Sequence, residues 1–315
     1  MEEQPQPSTG FTNTQTILFM VALSFACALI LAALASALAE PQELAKDLDR
    51  SKQMMIAAKL LDHNGYFLIK EKGKYIPAKL DAQGVLVPGS VEDRATSKQI
   101  LEMYKRRFEP LLVDKEGNTK TFKESNTSLE EYIAQYKKRG YYRAPLKLIY
   151  EILPNQPVSA EVSQAAQKPV LQKVEGFVIP VNGYGLWDAI YGYLAIEPDA
   201  DTVIGISWYE QVETPGLGAN IADAPWQSLF PGKKIFQESA SGETDFNTAP
   251  VGITVVKGKV SDVLGSSPKS FSAVDGMAGA TLTGNGVTDA YRDVLAAYRP
   301  FLVKQHQQYA SKDKQ

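Results

Sequence analysis

The chain has 315 residues, of which 44% are hydrophobic, and a formal net charge of −3 at pH 7. That is apolar material for one large domain or two ordinary ones, without the basic excess that a nucleic-acid partner requires. The single cysteine, Cys27, excludes an intramolecular disulfide, a cysteine-ligated iron–sulfur cluster built by this chain alone and a C-x-x-C-H haem attachment. His63 and His306 fall outside any metal-ligand spacing, so a redox cofactor here would have to be organic.

Residues 1–16 are polar and read as a short tail. Ile17 to Leu38 carries no charge and is almost wholly apolar. As a helix it would be roughly 33 Å long, enough to cross a hydrocarbon core of about 30 Å, so residues 17–38 are expected to be a single transmembrane helix. A cleaved signal peptide is the competing reading, on the small-x-small patterns before Glu40. Against it, no basic residue precedes the apolar run, which is also long for such a segment. Few charges flank the span: Lys46, Arg50 and Lys52 mix with Glu40, Glu43, Asp47 and Asp49. Taken literally, they place the C-terminal side in the cytoplasm. With no carboxylate in the span, this helix anchors and offers no ion path.

Residues 39–145 read as a membrane-proximal α/β region. Gln42 to Leu61 has helical spacing and ends in a turn at Asp62–Gly65. A second helix is expected over Thr96–Phe108. Asp114 to Arg143 is charge-rich and reads as a solvated insertion. From Leu146 the texture changes to strands, at Leu146–Leu153, Gly176–Val181 and Val203–Tyr209, with a polar linker over Pro154–Lys168. Residues 146–303 are expected to form the functional domain and 304–315 a polar tail.

Three glycine-rich stretches punctuate that domain. In the first, Gly183 and Gly185 make a tight loop before Leu186 and Trp187. It is not a dinucleotide fingerprint, because the third glycine would fall at Asp188, so no NADH site is expected here. In the second, Pro215, Gly216 and Gly218 demand irregular backbone. There the Thr214 hydroxyl, the glycine N–H groups and the Glu213 carboxylate would suit the polar edge of a flavin ring. Gly252 to Lys259 reads as one more strand. The third stretch, Asp275 to Val287, precedes a helix expected over Val287–Tyr298, with Val287, Ala290, Tyr291, Val294, Leu295 and Tyr298 on one face. Pro300 is expected to end it. Glycines admit close backbone approach, and the first turn of a helix attracts anions such as phosphate.

The run Asp275-Gly276-Met277-Ala278-Gly279-Ala280-Thr281 resembles the flavinylation motif of membrane-bound flavoproteins, D-G-x-[S/T]-G-A-T, with Ala278 in the hydroxyl position. The continuation Leu282-Thr283-x-Asn285-Gly286-Val287, the run Gly183-x-Gly185-Leu186-Trp187 and the run Glu213-Thr214-Pro215-Gly216-Leu217-Gly218 resemble the family of covalent-FMN subunits of sodium-translocating NADH:quinone oxidoreductases. The resemblance covers about Val178 to Phe301, plus the N-terminal anchor. It implies FMN joined through its phosphate to Thr281, one per chain. Gly279, Ala280, Leu282, Thr283, Gly185, Leu186, Trp187, Glu213, Thr214, Gly216 and Leu217 would surround it, and Asp275 and Gly276 would be read by a separate flavin transferase. It further implies the inner membrane, with the main domain on the periplasmic side, and partners that hold the NADH, iron–sulfur and quinone sites. No acid–base pair or activated nucleophile stands near Thr281, so no catalytic residue is expected. The rival readings are the homologous flavin subunit of a ferredoxin-linked ion pump and a non-redox envelope protein that binds a ligand. The expected fold is α+β: a mixed, mostly antiparallel sheet with packed helices, behind one membrane helix.

Overall fold

The computed structural model describes residues 12–157, 174–239, 241–242 and 244–312. The chain forms two compact units that divide between Asp49 and Arg50. The expected tail up to residue 11, and residues 158–168 of the expected linker, lie outside the described residues.

The first unit is helical. Helix α1 (Asn13–Ala57) contains the expected span. Its stretch Asn13–Ala39 is long and apolar enough to cross a membrane, and Ile17, Leu18, Phe19, Phe25 and Leu31 stand exposed along it. Water does not favour such a surface; lipid or a partner helix does.

In the second unit, the last turns of α1 bury Met54, Met55 and Ala57. This helix was expected to reach Leu61 but ends at Ala57, because Lys59 takes a positive φ of 54° and the Leu60 and Leu61 N–H groups fold back onto the Met55 carbonyl. Strands β1 (Phe67–Glu71), β2 (Lys74–Leu80) and β3 (Leu86–Pro88) form a small antiparallel sheet. Helix α2 (Ser97–Arg107) follows, close to the expected span. Its start is fixed by a capping box between Thr96 and Gln99, in which each side chain meets the other residue's backbone N–H.

The main sheet has six antiparallel strands: β4 (Phe108–Val113), β5 (Thr119–Lys120), β6 (Lys147–Ile152), β7 (Gly176–Tyr184), β8 (Ala189–Ile196) and β9 (Val203–Glu210). Their order is β5-β4-β6-β7-β8-β9. The boundary expected at residue 146 falls inside this sheet, because β4 pairs with β6 along its whole length. Within the charged stretch 114–143, helix α3 (Leu129–Tyr136) turns Tyr132 inward. The Tyr132 hydroxyl donates to the Leu146 carbonyl at 2.6 Å.

Beyond β9 come two one-turn helices, α4 (Ala224–Gln227) and α5 (Val260–Val263), and a short parallel pair, β10 (Thr254–Val255) with β11 (Ala273–Val274). The strand expected over Gly252–Lys259 is therefore only two residues long. Gly252 and Gly258, both at positive φ, turn the chain away on either side.

Helix α6 (Thr281–Lys312) closes the fold. Its expected apolar face is fully buried against the sheet, from Val287 to Tyr298. It is longer than expected at both ends: it begins at Thr281 and runs through Pro300 into the stretch expected as a polar tail. A proline inside a helix costs about 3 kcal/mol. Beyond it, Phe301 and Leu302 are wholly buried, each contributing about 1.5–3 kcal/mol, which offsets that cost. Arg299 secures the same turn by donating to the carbonyls of Phe246, Asn247 and Ala249. The architecture is α+β, as expected.

Candidate functional site

The three glycine-rich stretches meet at one end of the main sheet. The first is the β7–β8 hairpin loop, the second follows β9, and the third leads into α6. Loops carry the site while the sheet and helix fix where they start and end.

Close backbone approach brings them together. A Cβ on Gly286 would lie 1.9 Å from the Tyr184 carbonyl oxygen, and one on Gly183 would lie 2.5 Å from the Ala290 Cβ. Only glycine lets α6 sit this near the hairpin. Gly276 likewise has no room for a side chain beside the Val256 carbonyl.

Glu213 ties the three segments. Its carboxylate accepts from the Leu186 and Trp187 N–H groups, each at 3.0 Å, and from the Thr283 hydroxyl at 2.5 Å. The side chain is buried, with the residue 5% exposed. The acceptor expected to face a ring edge is therefore turned inward, its lone pairs taken by the protein. Burial pushes the carboxyl up, but the bonds from Thr283 and from the Trp187, Leu186 and Asp188 N–H groups outweigh it, and the group lies below its ordinary value. A depressed carboxylate stabilises the fold fully above its unfolded value and loses that contribution as pH falls through the lower folded value. Thermal melts of the wild type are thus expected to fall below about pH 4.5 more steeply than those of Glu213→Gln, which has no such charge. Parallel curves for the two would contradict this.

Thr281 and Thr283 face opposite ways, as residues two apart on a helix must. Thr281 is exposed and Thr283 is 2% exposed. Thr283 is thus a structural donor to Glu213. Thr281 stands at the first position of α6, where unpaired N–H groups and the helix dipole favour an anion. No acidic side chain occupies that first turn. Gly279, at a φ of 72°, reverses the chain just before it, and Ala280 is buried behind.

The three segments also present apolar side chains to the outside. Leu186, Trp187, Leu217 and Leu282 are 48%, 67%, 41% and 60% exposed. Leu217 lies against Gly279. The Trp187 indole N–H donates to the Thr214 hydroxyl at 3.0 Å, which couples the first loop to the second. Leu217 and Ala219 N–H groups both turn back to the Thr214 carbonyl, and Gly216, at a φ of 76°, makes that reversal possible. Asp275 is held from two sides: its carboxylate accepts from the Val260 N–H at 2.8 Å and its carbonyl from the Trp226 indole at 3.0 Å. Gly276 N–H donates to the Gly258 carbonyl. The structure therefore joins the three segments through Glu213, Thr283, the Trp187–Thr214 pair and the Leu217–Gly279 contact, while Asp275 and Gly276 are held by Trp226, Val260 and Gly258. Of the expected site residues, Glu213, Thr283 and Ala280 face the protein, while Thr281, Leu282, Leu186, Trp187 and Leu217 face outward. The Trp226 contact to Asp275 was not expected; a tryptophan after Pro225 carries no sequence signal for it.

Among known proteins, residues 185–296 match the family described as the FMN-binding domain. The chain is 43% identical to the C subunit of the Na(+)-translocating NADH-quinone reductase of Chlamydia caviae, over 96% of this chain and 95% of that one. It is 35% identical to the protein of the same name from Vibrio campbellii, over 72% and 82%. A crystal structure of the C subunit from Parabacteroides distasonis has the same fold, with a TM-score of 0.50 at 22% identity, over 83% of this chain and 94% of that chain. Carried by that similarity along nearly its whole length, the chain belongs to the family of C subunits of the Na(+)-translocating NADH-quinone reductases.

Proposed function

We propose that this chain carries electrons within a membrane complex that couples NADH oxidation and quinone reduction to Na⁺ export, through FMN joined by a phosphoester to Thr281, one per chain. The observation that carries the reading is the exposed Thr281 hydroxyl at the first position of α6, inside a D-G-x-x-G-A-T run and within the matched FMN-binding domain. The residues fit the group. The helix N-terminus suits the anionic phosphodiester, and Leu186, Trp187, Leu217 and Leu282 offer apolar surface for a flat ring. When bound, FMN supplies the redox chemistry. The protein's part is to hold the phosphate end at α6 and to present the apolar surface.

Thr281 has no histidine beside it in the sequence, and an unassisted hydroxyl is a weak nucleophile. Attachment is therefore assigned to a separate flavin transferase, with Asp275 and Gly276 shaping the loop that it meets. The NADH, iron–sulfur and quinone sites are assigned to other subunits. Helix α1 anchors the chain in the inner membrane as a single pass, with the flavin domain on the periplasmic side.

The intact mass of the full chain, co-produced with a flavin transferase, tests the assignment. The expected result is an FMN-sized adduct on the peptide that holds Thr281, with in-gel fluorescence after denaturation. An unmodified mass, with the transferase active on a control substrate, would sink it.

A further inference from the structure

Among the described residues, Glu213 is the side chain that hydrogen-bonds to both of the other glycine-rich segments while belonging to the remaining one. Its surroundings are built to its shape. A Cβ on Gly185 would fall 2.4 Å from one carboxylate oxygen; a Cβ on Gly218 would fall 2.8 Å from the other and 2.4 Å from the Thr283 hydroxyl. Two of the glycines that sequence reading associates with ligand approach thus line a nest for this carboxylate. The Leu186 and Trp187 N–H groups and the Thr283 hydroxyl all donate to it, and a glutamine could not satisfy them all. Whichever way its amide points, the NH₂ group opposes at least one backbone N–H.

We propose that Glu213 is a positioning residue for the flavin. It draws the three loops into one geometry, ties the loop that carries Trp187 and Thr214 to the start of α6 through Thr283, and keeps a fixed negative charge inside the cofactor site. This rests on the assignment of FMN to Thr281. Because a nearby negative charge disfavours the addition of electrons, the charge holds the flavin potential down. The loop geometry, in turn, is what lets the transferase load the hydroxyl.

The test uses the full chain, co-produced with a flavin transferase, as wild type, E213Q, T283V and T283S. Covalent flavin per chain is read by intact mass, and the midpoint potential of the bound flavin by spectroelectrochemical titration. E213Q is expected to lose flavin occupancy, and its remaining flavin to titrate at a more positive potential. T283V, which keeps the charge but loses one donor, is expected to load less than wild type with an unshifted potential, and T283S to match wild type. Full loading of E213Q, or reduced loading with an unchanged potential, overturns the proposal. Where E213Q carries too little flavin to titrate, T283V decides: loading equal to wild type overturns it, and reduced loading restored in T283S supports it. A wild-type chain without covalent flavin would instead bring down the FMN assignment and leave the contacts of Glu213 as they are.

Discussion

Thr281→Ala is expected to abolish the covalent flavin while leaving the fold intact. The side chain is exposed at the first position of α6, so its removal opens no cavity, and alanine is the better helix former by a few tenths of a kcal/mol. The circular dichroism spectrum and the melting temperature should match those of the unmodified wild type. Intact mass should show the bare chain, and the denatured band should not fluoresce. Retention of the adduct in Thr281→Ala would show that the phosphate is attached elsewhere. Thr283→Ala is the informative comparison. From sequence alone it should largely spare the flavin, since the motif places attachment two residues earlier. The structure gives it a separate cost, because its hydroxyl donates to the buried Glu213 carboxylate. A lost bond to a charged group is worth about 1.5–3 kcal/mol. Its flavin should therefore remain on Thr281, at reduced occupancy and on a less stable fold.

The second large effect is expected at Gly286. Alanine there would gain about 1 kcal/mol in helix propensity. Its Cβ, however, would sit 1.9 Å from the Tyr184 carbonyl oxygen and 3.4 Å from Gly185 Cα, and neither neighbour is a flexible side chain. Relief requires α6 to move off the hairpin, and overpacking of this kind costs about 1–3 kcal/mol or more. Gly286→Ala is expected to lower Tm, by roughly 2–4 °C for each kcal/mol lost in a unit of this size, and to reduce flavin loading, because the same shift displaces the start of α6 from the hairpin. Asn285→Ala, one residue earlier and exposed, should do neither. If Gly286→Ala melts with wild type, the hairpin and α6 are not in contact in solution.

Where local chemistry decides, the sequence is readable. The strands at Lys147–Ile152 and Val203–Glu210 are β-branched and apolar runs bounded by turns, and they stand where expected. The buried face of α6 follows its period of 3.6 from Val287 to Tyr298. Where distant packing decides, local signals mislead. Pro300 reads as a stop, yet Phe301 and Leu302 find a core that their neighbours in sequence do not announce. Strand β8 contains Gly192 and two alanines, a poor strand composition, but both its edges are paired and tertiary context overrides propensity. At the site, the motifs mark the three segments that the structure joins through Glu213. They do not give the roles within the site. Glu213 and Thr283 stand seventy residues apart, and nothing local tells that each is the other's partner rather than the ligand's.

The placement of Thr281 has a consequence for the order of maturation. Its hydroxyl lies on the outside of a completed helix, with the core closed beneath it by Thr283, Val287 and Ala280. Reaching it demands no unfolding and no opening of the sheet. On the proposed attachment at Thr281, the scaffold can therefore be finished first and the cofactor added last. A transferase of the kind proposed would then meet a finished shape as well as a sequence, and a misfolded copy, lacking the hairpin and loop, would be left unloaded.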